Sequence, residues 1–419
     1  MNRIFFLLSS FIVALTAAAS TPYTWTNLSG SARPYPDSIG VIEHPDSLTP
    51  VMITHISRHG ARYPTSELNV DAVRNFLMKA YGDGQLTPKG MSLLSLADSV
   101  CTMASGKWGR LDALGEAEQR GIAGRLYESA PALFVKGARI MAMSSWKPRC
   151  VMSMYTFIHQ LTLLNDKGLD VTAISGSARC DTLLRFFDTD KAYKELKKSD
   201  SLANVASYYE AATIDDATAT ELLKRLAGNS IPPTISERRR TAVAIYSLIA
   251  GCGAMGIEVL PDEWMTYDEF FRCWASKDVA QYLKYSVSGV SRVPAEMASP
   301  LLKAIIGGID GFIGKEGVAP VQLYFGHAET LMPLMSLMRL PRAYYVAPDI
   351  KCVPEHWHNF DIVPMAANLT FTLFRSNTGE LYVRLDVNGS EEPLIPGSGI
   401  DYVEWNAARE YLESCLAVQ

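Results

Sequence analysis

A histidine between two arginines, Arg58-His59-Gly60-Ala61-Arg62, runs into Tyr63-Pro64-Thr65 and is the densest chemistry in the chain. Arg58 and Arg62 each offer a forked, permanently charged donor set that matches a phosphate. His59 could attack phosphorus through a ring nitrogen. Gly60 lets the backbone approach closely, and Pro64 stiffens the exit. Solvated surface arginines are the alternative, but with average residue usage an Arg-His-Gly-x-Arg match in such a chain is expected on the order of one time in a thousand.

Two further clusters carry groups of the same kind. Ser145-Trp-Lys-Pro-Arg149 brings another arginine, with Pro148 suited to a first helical turn and Val151, Met154, Tyr155 and Ile158 at helical spacing after it. His327-Ala-Glu329 brings an imidazole and a carboxylate ahead of an apolar helix candidate, Thr330 to Met338. Each cluster comes after a strand-length apolar run: Val51 to Ile56, Ala138 to Ser144, and Val321 to Phe325. In open α/β sheets, ligands bind at the carboxyl ends of the strands, where all three clusters would lie.

Arg58-His59-Gly60-Ala61-Arg62-Tyr63-Pro64 resembles the signature of the histidine acid phosphatases, a branch of the superfamily that includes phosphoglycerate mutases. The block from Ala138 to Ser153, which carries Arg149, is similar to that family's second conserved stretch. His-Ala-Glu, where most of the family has His-Asp, resembles the clade of multiple inositol polyphosphate phosphatases, which degrade phytate. Cys180-Asp-Thr-Leu-Leu-Arg185-Phe-Phe-Asp188 and Ile362 to Phe374 are similar to further blocks of that clade, so the likeness spans residues 51 to 374 in order. Leu114-Gly-Glu-Ala-Glu-Gln119 resembles a Gly-x-x-Gln segment of the family, with Glu118 where Gln is usual.

The resemblance implies that His59 is the nucleophile and becomes a phosphohistidine, while Arg58, Arg62, Arg149 and His327 hold the transferred phosphate. Glu329 is then the proton donor, an assignment that rests on the clade rather than the wider family. Arg185 is a candidate contact for a second substrate phosphate; Thr65 either orders the loop or touches substrate. No cofactor and no metal is implied. Glu355-His356-Trp357-His358 mimics a metal half-site but lacks a third ligand and reads as a loop. Neither a Cys-x5-Arg loop nor a Gly-x4-Gly-Lys-Ser/Thr loop is present. The expected activity is hydrolysis of small phosphorylated substrates, inositol polyphosphates first. A broad acid phosphatase acting on sugar phosphates, a phosphomutase and a non-catalytic phosphate binder are the alternatives.

Residues 1–19 carry Arg3, an apolar run from Ile4 to Leu15 and Ala17-Ala18-Ala19, the pattern of a secretory signal peptide. Export to the periplasm or the medium is expected, without stable membrane insertion. The formal net charge of −5 disfavours nucleic acid as a partner, because a polyanion must then be met by a local basic cluster. Arg238-Arg-Arg240 and the lysines of Lys194 to Lys198 read as solvated helix faces. Seven widely spaced cysteines hold no Cys-x-x-Cys; Cys252 and Cys273 are the pair expected if an exported chain forms a disulfide. Asn27, Asn368 and Asn388 stand in glycosylation sequons that matter only in a eukaryotic secretory pathway. Oligomeric state is not encoded in any pattern here.

The expected fold is an α/β three-layer sandwich of the phosphoglycerate mutase-like kind, with a mixed, mostly parallel sheet and an inserted all-helical cap. Residues 20–165 and 300–419 form the core in this reading, and 166–299 form the cap. Helical spacing predicts helices over 70–81, 93–103 and 114–126, then 192–203, 217–227, 236–250, 267–274 and 279–286. A hairpin is expected around Ser376 to Gly379, between strands at 370–375 and 381–386.

Overall fold

The computed structural model describes residues 23–165 and 168–417, so the expected signal peptide lies outside the described residues. Among the described residues eight strands form one sheet: β1 (Leu48–Arg58), β2 (Ala138–Ser144), β3 (Leu169–Ser175), β4 (Val321–Gly326), β5 (Asn368–Ser376), β6 (Leu381–Val387), β7 (Ser390–Glu392) and β8 (Val403–Glu404). Their order is β3-β2-β4-β1-β5-β6-β7, with β8 on β6. The run β3-β2-β4-β1 is parallel, and the strands from β5 onward pair antiparallel.

Helices separate the parallel strands in sequence, as the sandwich requires. They are α1 (Leu68–Gly82), α2 (Pro88–Ala104), α3 (Ala113–Ser129), α4 (Pro148–Leu164), α5 (Ala178–Leu184), α6 (Phe186–Thr189), α7 (Lys191–Lys198), α8 (Ser201–Thr213), α9 (Asp216–Ala227), α10 (Ile235–Gly251) and α11 (Tyr267–Tyr285). The remainder are α12 (Val293–Glu296), α13 (Ser299–Ile313), α14 (Ala328–Leu337), α15 (Val353–His356), α16 (Asn359–Ile362) and α17 (Trp405–Leu416).

The pleat of the central strands splits the core in two. Ile53, Ile140, Ala142, Leu323 and Phe325 face α3 and α4, meeting Ile122, Leu126, Phe157 and Leu161. Met52, Ile56, Met143 and Tyr324 face the other way, into one continuous apolar body with α13, α14 and the helices α7 to α11. Central strands buried on both faces read as unbroken apolar runs, which is why β1, β2 and β4 are visible in the sequence.

Four details differ from expectation. Strand β3 falls inside the span 166–299 expected to be wholly helical; it is an edge strand, largely exposed, so it needs few apolar residues and signals weakly. The helix expected over 192–203 breaks into α7 and α8 at Asp200, which takes a left-handed conformation (φ +58°). The two helices expected over 267–286 are the single α11, because Ala275, Ser276 and Asp278 between them are buried rather than turn residues. Cys252 and Cys273 do not pair: both are buried free thiols, and Cys252 Sγ donates to Leu248 O at 3.3 Å within its own helical turn. Among the described residues no helix is long and apolar enough to cross a membrane.

Candidate active site

Strands β2, β4 and β1 lie side by side, and their carboxyl ends are level: Arg58 pairs with Gly326, and Ser144 with Phe325. Three chain segments far apart in sequence therefore deliver their polar groups to one place. Two helices, α4 and α14, also start there, so their amino-terminal N–H groups add positive potential to the same spot.

The loop after β1 is fixed almost entirely through its backbone. Arg58 N donates to Ala367 O (2.7 Å), His59 N to Gly326 O (3.1 Å), Gly60 N to Ser153 Oγ (3.1 Å) and Ala61 N to Glu118 Oε2 (2.7 Å). Gly60 is required for space: a Cβ there would lie 2.4 Å from Gly115 O, and a Cβ on Gly115 would lie 2.1 Å from Ala61 O. The loop and the start of α3 thus touch backbone to backbone.

His59 is buried, and its Nδ1 lies 2.9 Å from Gly60 O. A carbonyl only accepts, so Nδ1 carries the proton and Nε2 keeps its lone pair. Burial, and then the cations Arg149, Arg58 and Arg62, push the His59 pKa well below the ordinary value and keep the ring neutral. His327 faces it, with ring centroids 5.7 Å apart.

Arg58, Arg62 and Arg149 surround these rings. Arg58 Nη1 is tied to Ser31 O and Val363 O, both at 2.6 Å, and Arg62 Nη1 to Tyr63 O at 2.9 Å. Arg149 Nη2 lies 3.4 Å from His327 Nδ1. The buried Nε of all three has no hydrogen-bond partner. Burial, followed for Arg62 by the neighbouring arginines, lowers the pKa of Arg58 to about 10 and of Arg62 to about 9, so both stay charged near neutrality. Arg58 is buried and Arg62 and Arg149 are half-buried, so three cations with buried, unspent Nε donors can take up an anion, which relieves both the charge and the missing bonds.

His327 caps α14 and is held from several sides. Its N–H donates to Thr330 Oγ1 (3.0 Å), and its Nε2 lies 2.9 Å from Ser145 Oγ and 3.0 Å from Arg185 Nη1. Arg185 is ion-paired to Asp188 and stacks over Phe187 and Trp146 (5.2 and 5.3 Å to the ring centroids), with Lys147 on the same indole. Arg185, the candidate contact for a second substrate phosphate, stands beside His327. Glu329 occupies the first turn of α14, half-buried, and its charge is felt by Arg58 and Arg62.

Thr65 is exposed, and its Oγ1 accepts from Asn69 Nδ2 at 3.1 Å. It lines, with Arg62, a cavity of about 490 Å³ whose far wall is built from α10 and α11 and includes Arg240 and Lys277. Arg238 and Arg239 are tied to Asp216 and to Ile214 O, whereas Arg240 is exposed and borders this cavity. Sequence reasoning left Ser145, Ser153, Gln119 and Lys147 without a role. Ser145, Lys147 and Ser153 all lay within the block that carries Arg149. Gln119 Nε2 donates to Arg58 O at 3.0 Å. Among the described residues no group of three or more His, Cys, Asp or Glu gathers as a metal site.

The chain is similar to several known proteins. The human multiple inositol polyphosphate phosphatase 1 is 28% identical over 370 residues, covering 83% of this chain and 74% of the human protein. The Gallus gallus protein of the same name is 25% identical over 372 residues, covering 84% and 78%. The Bifidobacterium longum multiple inositol polyphosphate phosphatase, solved in complex with inositol hexasulfate, superposes with a TM-score of 0.76 at 18% identity, covering 94% of this chain and 98% of that one. The phytase from D. castellii gives a TM-score of 0.73 at 17% identity, covering 96% and 89%. The family model described as "Histidine phosphatase superfamily (branch 2)" matches residues 51–388, and to that family this chain belongs.

Proposed function

We propose that this protein is an exported phosphomonoesterase that hydrolyses inositol polyphosphates such as phytate through a phosphohistidine. The observation that carries this reading is the set of three buried arginine Nε donors without partners around a neutral histidine whose Nδ1 is pinned and whose Nε2 is free. The names of its relatives supply the substrate class.

In the proposed first step His59 Nε2 forms a bond to phosphorus as the ester P–O bond breaks, and Glu329 gives its proton to the departing alkoxide. Arg58, Arg62, Arg149 and His327 spread the charge of the equatorial oxygens. In the second step water attacks phosphorus, Glu329 takes its proton, the P–N bond breaks and inorganic phosphate leaves. An inositol alkoxide is a poor leaving group, so the acid is indispensable where the phosphate holders overlap in role. The cavity bounded by Arg62, Arg240 and Lys277 has room and positive charge for the rest of a polyphosphorylated ring. That supports a polyphosphate over a small monoester. The apolar run at residues 4–15, read as part of a signal peptide, supports export.

Incubating the purified protein with phytate and measuring released phosphate tests the reading. Release of phosphate with loss of inositol hexakisphosphate is expected. Transfer to a second sugar hydroxyl without release points to a mutase, binding without turnover to a carrier, and faster turnover of sugar phosphates to a broad acid phosphatase.

Losing Arg62 or Arg149 is expected to cost ~2 to 4 kcal/mol in kcat/KM, the range for one strong transition-state donor. Lysine should rescue poorly, because a point charge cannot replace the fork. Steady-state kinetics of Arg149→Lys decide the matter: activity within about twofold of the parent, far inside that range, removes Arg149 from the site.

A further inference from the structure

Glu118 is buried on α3, directly behind the nucleophile loop, where a glutamate has no solvent to justify its charge. Its two oxygens are both used. Oε2 accepts from Ala61 N at 2.7 Å and Oε1 accepts from Tyr35 N at 2.8 Å, so one carboxylate ties α3 to the His59 loop and to the amino-terminal segment. Ala61 is clamped from the other side as well, its carbonyl accepting from Asp112 N at 3.1 Å. Around it the loop runs alongside residues 109–112: Tyr63 N donates to Arg110 O (3.1 Å), and Gly109 N to Pro64 O (2.7 Å).

Only an ionised carboxylate accepts with both oxygens at full strength. Protonation turns one oxygen into a donor facing an N–H that can only donate, and that contact changes from attractive to repulsive. Whichever oxygen takes the proton, a clamp arm is lost. The loop carries Arg58, His59 and Arg62 on consecutive or near-consecutive residues, so a shift of the Ala61 amide moves all three together. Positioning errors of this kind are paid in rate, because the attacking nitrogen must approach phosphorus in line.

We propose that Glu118 is a positioning residue for the nucleophile, a proton-sensitive clamp that holds the His59 loop when ionised and slackens it when protonated. This rests on the reading of His59 as nucleophile. The charged groups around Glu118 are Asp112 on the turn into α3, which opposes its ionisation, and Arg58 at the end of β1, which favours it; Tyr35 and Ala61 reach it through their backbone N–H groups. Burial dominates and lifts its pKa to about 7, against the pull of the two N–H bonds. The proton is therefore taken up as pH falls through about 7, and the clamp is intact above that.

The test is Glu118→Gln, which keeps size and one acceptor but presents an NH₂ to the second N–H. The kcat with p-nitrophenyl phosphate is expected to fall about tenfold or more with a smaller change in KM, as for a loss felt in the transition state. The parent's kcat should also decline as pH is lowered through about 7, and the variant should lack that limb. Hydrogen–deuterium exchange of the peptide covering residues 57–63 is the second readout. In the parent, corrected for intrinsic exchange, protection of the Ala61 amide should drop between pH 8 and pH 5, about a unit or more either side of that midpoint. A folded Glu118→Gln protein with unchanged kcat and an unchanged acid limb overturns the proposal. So does a pH-independent Ala61 amide in the parent, which decides the question even if the variant fails to fold. A parent with no phosphatase activity at any pH sinks the underlying reading instead, and is told apart by that.

Discussion

Replacing His59 by alanine is expected to abolish turnover, by about 10⁶-fold where the nucleophile and its partners act as a unit, while leaving the fold intact. The fold survives because the loop is held by backbone groups that alanine retains: His59 N to Gly326 O, and Ala366 N to His59 O. The neighbouring amides stay bonded to Ser153 and Glu118. The variant loses the ring whose Nδ1 is pinned to Gly60 O and whose Nε2 is left as the attacking atom. The parent enzyme, quenched without acid during turnover, should yield a phosphoprotein stable to base and labile to acid, as a phosphoramidate is. His59→Ala should yield none. Full activity in a His59→Ala protein with native circular dichroism eliminates the phosphohistidine mechanism.

The parts of the site legible in the sequence are those that sit at the ends of strands buried on both faces. β1, β2 and β4 announce themselves as apolar runs, and the polar residues just beyond their carboxyl ends, His59, Arg149 and His327, can be read as groups in search of a common ligand. That the three strands are neighbours depends on the sheet order, which no local pattern encodes. The illegible parts are those whose burial is decided by tertiary packing. Glu118 is marked in the sequence only as the residue standing where the family usually has Gln; the approach of Gly60 to Gly115 is what puts it underneath the loop. Arg185 reaches His327 across 142 residues of sequence, and nothing in its own block points there. β3 escapes notice for the opposite reason: it is an edge strand that faces solvent and has little to bury. The expectation of a Cys252–Cys273 pair draws on compartment and count, whereas the two thiols are packed separately as small apolar groups.

The other large effect is expected at Glu329. Glu329→Gln keeps shape and hydrogen bonding but supplies no proton, so phytate hydrolysis should fall by roughly 10²- to 10⁴-fold, the range for a lost general acid. Part of the carboxylate's effect is electrostatic, since its charge is felt by Arg58 and Arg62. Loss of that charge leaves the arginine cradle more positive, which acts on any phosphate ester alike. Proton donation, in contrast, depends on the leaving group. p-Nitrophenolate leaves with little protonation, so its phosphorylation step should suffer much less than that of an inositol alkoxide, while the later attack of water on the phosphohistidine is slowed for both substrates because the intermediate is the same. Pre-steady-state bursts separate the two steps. A burst with p-nitrophenyl phosphate that stays near the parent rate, beside a phytate burst slowed by orders of magnitude, identifies Glu329 as the proton donor. Equal slowing of both bursts, or of neither, assigns the acid to another group and leaves Glu329 with an electrostatic role in the cradle.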